Sequence, residues 1–145
     1  DFLQLCKTDD KRCIRSIEST ALANSDYAFK YVGTETLDGN SVQHLQVWNS
    51  FASQPGLQQL ATFTQRDIWI STGSGLPYKV AYEKRRSESE FALRTEVYLS
   101  DYRNVNGVVF PFAIRTSLNG TPWAVVNLTS VVLNTGLTDA DFPVQ

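Results

Sequence analysis

The sequence predicts a mainly β domain: a curved antiparallel meander of about seven strands, preceded by one short N-terminal helix. Three observations carry this expectation. From Tyr27 onward, apolar and polar residues alternate with period two almost to the end of the chain, which places successive side chains on opposite faces of a strand. Asp38-Gly39, Asn106-Gly107 and Asn119-Gly120 are two-residue turn signals of the kind that tolerate the positive φ of tight hairpins. No strand pattern alternates with a helical one, which excludes parallel βαβ folds and their phosphate-binding turns. No cofactor is expected.

Taken in order, the helix begins near Thr8, Asp9 and Asp10, which suit an N-cap and first turn, carries Ile14, Ile17 and Ala21 on one face, and ends at Asn24 and Ser25. Strands are expected over 27–37, 41–49, 62–71, 76–84, 91–102, 108–118 and 121–134. The polar breaks at 50–61 and 85–90 read as loops. Residues 1–145 form a single domain on this reading, a helical segment over 1–26 followed by a sheet over 27–142.

Leu76, Tyr78, Val80 and Tyr82 share one parity against Pro77, Lys79, Ala81 and Glu83. Phe91, Leu93, Val97 and Leu99 do the same in the next strand, and Val108, Phe110, Phe112 and Ile114 in the one after. Each strand therefore has one apolar and one wet face. Seven strands about 4.8 Å apart make a sheet about 30 Å wide, whereas a helix with its side chains is about 10 Å across. The sheet must curl on itself, be covered by another part of a larger protein, or hold a ligand on its apolar side.

Composition narrows the function classes. A net charge of −2, with 13 basic and 15 acidic residues, and no basic stripe beyond Lys84, Arg85 and Arg86 argue against a nucleic-acid partner. No apolar run approaches the roughly 20 residues of a membrane-spanning helix. The chain starts at Asp1 and contains no methionine, as expected of a piece processed or excised from a larger exported protein.

Cys6 and Cys13, the two cysteines of the chain, are separated by a polar stretch whose shortness favours a disulfide over two free thiols, with Cys6 folding back from outside the helix. A disulfide implies an oxidising compartment, periplasmic or extracellular. Two cysteines and the single His44 supply too few ligands for a zinc site.

Catalysis finds little support. His44 is the one candidate base for a nucleophile, and its mid-strand setting in Val42-Gln43-His44-Leu45 reads as structural. The acid pairs Asp139 with Asp141 and Glu88 with Glu90 lie in polar segments that read as solvated. Asn119-Gly-Thr121 and Asn127-Leu-Thr129 match glycosylation acceptors only as short patterns. No catalytic residue and no metal site is expected.

Four stretches carry a family likeness: Tyr31-Val-Gly-Thr-Glu-Thr-Leu-Asp-Gly39; Asp67-Ile-Trp-Ile-Ser71 followed by Leu76-Pro-Tyr-Lys-Val-Ala-Tyr82; Tyr98-Leu-Ser-Asp-Tyr-Arg-Asn-Val-Asn-Gly-Val-Val-Phe-Pro-Phe112; and Leu133 to Phe142 with Asp139-Ala-Asp-Phe142. In order and spacing they resemble the later part of bacterial periplasmic proteins of the lipoprotein-carrier (LolA-like) superfamily. The resemblance covers about 27–142 and implies a half-barrel whose concave apolar side is lined with aromatics and closed by helices. Residues 1–26 depart from the family's opening helix and strands.

The resemblance and the apolar parity together imply a non-enzymatic cell-envelope binding domain. It would hold a lipid, an acylated protein or another hydrophobic ligand on its concave face, lined by Tyr78, Tyr82, Phe91, Phe110 and Phe112. The competing expectation is an accessory domain that docks on a neighbouring domain of its parent protein.

Overall fold

In a computed structural model of the protein, residues 26–84, 91–133 and 136 are described. The expected N-terminal helix and the Cys6–Cys13 disulfide lie outside the described residues.

Seven strands form one open antiparallel sheet in the order β1-β2-β3-β4-β5-β6-β7: β1 (Tyr27–Leu37), β2 (Asn40–Asn49), β3 (Arg66–Ser71), β4 (Pro77–Lys84), β5 (Leu93–Val105), β6 (Val108–Leu118) and β7 (Thr121–Asn127). Every strand pairs with its neighbours in the chain, so the expected meander is the observed fold, a curved sheet that does not close into a barrel.

The hairpins follow from their turn residues. Asp38 and Gly39 have φ of 50° and 79°, Asn106 and Gly107 have 50° and 87°, and Asn119 and Gly120 have 48° and 79°. Positive φ at both central positions is the two-residue geometry whose twist matches that of the flanking strands. Side chains tie two of these turns down: Asn104 Oδ1 accepts from the Gly107 N–H at 2.8 Å, and Asn119 Oδ1 accepts from the Arg94 N–H at 2.9 Å.

Several boundaries differ from the sequence expectation: β5 runs over Leu93–Val105 and not 91–102, and two others differ by more. The 50–61 segment is more than a loop, because Pro55–Thr64 forms a 3-10 helix. Proline at its start has a preset φ and no N–H to leave unsatisfied. Thr64 ends it, donating from Oγ1 to the Ala61 carbonyl and accepting from the Asn49 N–H, so β3 starts at Arg66 and not at residue 62. At the other end, β7 stops at Asn127, well short of residue 134, and all seven of its residues are exposed.

A bulge between β3 and β4 changes the expected parity. Trp69 pairs with Lys79 while Ile70 pairs with Pro77, leaving Tyr78 as the extra residue. An inserted residue reverses the alternation on one side of it, so Tyr78 leaves the face that Val80 and Tyr82 occupy. It packs instead against Val42, Trp69 and Ala81, the buried apolar cluster of the opposite face.

Candidate functional site

Register pairing resolves the sheet into two unlike faces. On the first, one row of partners crosses all seven strands: Tyr31, Leu45, Ile68, Val80, Val97, Thr116 and Ala124. Six of the seven are apolar or aromatic. A second row on this face, Leu99, Ile114 and Val126, leads to Phe112 and Phe110 further along β6. Apart from Phe112, at 5% exposure, these side chains are half-buried or exposed. The 3-10 helix packs against β2, and no other helix occurs among the described residues.

The opposite face is polar and closed by its own side chains. His44, Trp69, Lys79, Tyr98 and Arg115 are successive cross-strand partners on β2 to β6, alternating rings with cations. His44 stacks on Trp69 with ring centroids 4.3 Å apart. Lys79 Nζ lies 4.8 Å from the Trp69 ring and 4.9 Å from that of Tyr98, and the Arg115 guanidinium carbon lies 4.6 Å from the Tyr98 ring. Such contacts combine ring packing with attraction between cation and π face.

Carboxylates hold this ladder in place. His44 Nδ1 meets Glu35 Oε1 at 2.7 Å and its Nε2 meets Asp67 Oδ1 at 2.9 Å, while the Trp69 indole donates to Glu35 Oε2 at 3.0 Å. Hydrogen bonds from Trp69 and then His44 lower the pKa of Glu35. Lys79 Nζ lies 2.6 Å from Glu96 Oε1. That bond is the main reason the Glu96 pKa falls below its usual value. Burial pushes the Lys79 ammonium down, but its bonds to Glu96 and Tyr98 outweigh burial and leave it above its usual value. Tyr102 donates to the Pro77 carbonyl at 2.6 Å, and its burial pushes the phenol up to about 12.

This arrangement bears on His44 as a base. Both ring nitrogens are engaged by carboxylates, which leaves neither facing a hydroxyl or thiol to activate. Among the described residues, no group of three or more His, Cys, Asp and Glu side chains is placed to hold a metal ion.

The five aromatics expected to line the apolar face are only partly brought together. Phe110 and Phe112 lie on it, with Arg103 over the Phe112 ring at 4.4 Å. Tyr82 lies on it as the partner of Arg66 and Thr95. Tyr78 lies on the polar face, its hydroxyl donating to Asp38 Oδ2 at 2.8 Å and its ring edge-on to Tyr98. Phe91 precedes β5 and is 102% exposed, so it belongs to neither face. The aliphatic positions Leu45, Ile68, Val80 and Val97 share this face; Val80 and Val97 were on the apolar parity read from the sequence, and the alternation in β2 and β3 was the signal for Leu45 and Ile68.

No protein-family model matches the chain, and no curated protein does. Solved structures do match, at low identity. One described as an outer membrane lipoprotein-sorting protein domain, from Vibrio parahaemolyticus, shares 17% identity with a TM-score of 0.56, over 81% of this chain and 46% of its own. A LolA superfamily protein from Nitrosomonas europaea shares 16% at a TM-score of 0.46, over 81% of this chain and 51% of its own. A DUF1329 family protein from Desulfovibrio piger shares 14% at 0.49, over 81% and 45%. The chain thus spans about half the length of the structures it matches. Among the described residues, no helix is long and apolar enough to cross a membrane. An open antiparallel meander with one apolar and one polar face, aligned with the lipoprotein-sorting domain over four-fifths of the chain, makes the fold LolA-like.

Proposed function

We propose that the chain is a non-enzymatic binding domain of an exported, cell-envelope protein, and that it holds a lipid, an acylated protein or another hydrophobic molecule against its apolar face. The observation that carries this reading is the apolar row from Tyr31 to Ala124, half-buried or exposed along its length. Ligand contact would remove that surface from water at about 25 cal/mol per Å² before ordering costs. The LolA-like fold adds support, because the aligned Vibrio structure is described as a lipoprotein-sorting domain.

Adjacent residues of β7 supply a controlled test. Val126 pairs with Ile114 on the apolar face, whereas Val125 pairs with Arg115 on the polar face, and they are 46% and 65% exposed. Titrating a neutral hydrophobic fluorophore, N-phenylnaphthylamine, into the chain should give saturable binding that Val126→Asp weakens and Val125→Asp leaves unchanged. Absence of saturable binding, or equal effects of the two substitutions, would count against the reading. A second reading, in which the apolar face docks on a neighbouring domain, draws on the chain's spanning about half of the matched structures. It gains if the fluorophore fails to bind.

A further inference from the structure

One corner of the apolar face is not apolar. In the row Phe29, Val47, Arg66, Tyr82, Thr95 and Leu118, the Arg66 guanidinium carbon lies 4.8 Å from the Tyr82 ring centroid. Lys84, two residues along β4 and therefore on the same face, places its Nζ 5.6 Å from the same centroid. Two cations thus share one aromatic ring. Neither has an acidic partner within ion-pair distance among the described residues, in contrast to Lys79, Arg94, Arg103 and Arg115.

A second observation falls at the same place. Thr95, cross-strand partner of Tyr82 on this face, is 4% exposed, and its Oγ1 has no hydrogen-bond partner. A buried hydroxyl left unmatched costs free energy that a hydrogen-bonding ligand would recover. Two cations with no acidic partner among the described residues, beside such a hydroxyl at the edge of an apolar surface, are complementary to a group that is anionic, accepts hydrogen bonds and carries an apolar tail.

We propose that this corner is a head-group site, and that the ligand of the apolar face is a fatty-acid-type amphiphile, an acyl chain ending in a carboxylate. The carboxylate sits between Arg66 and Lys84 within reach of Thr95 Oγ1, and the chain runs over the apolar rows toward Phe112. Leu118, the partner of Thr95, and Phe112 are six residues apart on β6, about 20 Å at 3.4 Å per residue, a span comparable with an extended long acyl chain. The inference rests on the apolar-face reading and adds its polarity and charge.

Calorimetric titration of laurate and of monolaurin, which share one acyl chain and differ in the charge of the head, tests it, each kept below its micelle concentration. Wild type should bind laurate roughly tenfold more tightly than monolaurin, as expected of charge-assisted bonds to a carboxylate, and the preference should shrink at high salt. Arg66→Gln/Lys84→Gln should bring laurate to the level of monolaurin without weakening monolaurin, with circular dichroism showing the variant folded. Equal binding of both by wild type overturns the head-group site while leaving the apolar-face reading intact. A laurate preference that survives in the double variant overturns the placement. Binding of neither overturns both.

Discussion

The imidazole of His44 lies nearly parallel to the indole of Trp69, at 19°, and the two share a single carboxylate, Glu35, which bonds His44 Nδ1 through one oxygen and the Trp69 N–H through the other. This joins β1, β2 and β3 through side chains as well as backbone. His44 is therefore a structural residue whose removal should be felt in stability. His44→Ala should lower unfolding free energy by about 1 kcal/mol, the usual net worth of hydrogen bonds to partners that solvent can still reach, read as a drop in urea midpoint at constant slope. An unchanged midpoint would mean that the network adds nothing to the sheet.

The Lys79–Glu96 pair predicts a pH dependence with a definite sign. Glu96 has a folded pKa below its ordinary value of 4.5, so its stabilisation is fully present above that value and is lost as pH falls through the folded pKa. Lys79 is raised above 10.5, so its contribution is fully present below that value and is lost only as pH rises through the folded pKa. Stability should hold across neutral pH and decline in acid. Glu96→Gln should flatten part of the acid decline, with Glu35, also lowered, supplying a remaining part. Thermal midpoints measured against pH for the two proteins check this.

Gly107 occupies a φ of 87° in the turn between β5 and β6. A β-branched side chain is strained in that region, so Gly107→Val should cost at least about 1 kcal/mol. An unaltered denaturation midpoint would contradict the turn geometry.

Val42 is 0% exposed in the cluster with Trp69 and Ala81, whereas Trp123 on β7 is 72% exposed. Truncating the smaller residue should do the greater harm: Val42→Ala about 2 kcal/mol, and Trp123→Ala within about 0.5 kcal/mol. Comparing the two unfolding curves tests whether the buried apolar cluster sits on the otherwise polar face.

Much of the sheet was legible because its determinants are local. The bounds of β1 and β6 match those read from alternation, and Asp38-Gly39, Asn106-Gly107 and Asn119-Gly120 each announced a hairpin through residues that accept positive φ. The site was less legible because a face is a property of register. Tyr78 and Tyr82 have the same parity in sequence, yet an extra residue opposite the Trp69–Ile70 step separates them onto opposite faces. Phe91 continues the period of β5 but precedes its first paired residue, Leu93. Lys79 read as a member of a wet face, and its meeting with Trp69, Glu96 and Tyr98 depends on cross-strand pairing that no single strand's pattern reveals.

The meander order has a consequence for how this sheet is assembled. Because each strand bonds only to its predecessor and successor, the β1–β2, β5–β6 and β6–β7 interfaces can each form as a hairpin closed by two residues, whereas β2 and β3 must close the longer connection that holds the 3-10 helix; contacts of low sequence separation favour rapid folding. Strand addition can then proceed outward from any hairpin already formed. The segment from β5 to β6, with the longest paired strands and a two-residue connection, is the natural first one, which makes Asn106-Gly107 a determinant of folding rate as well as of stability.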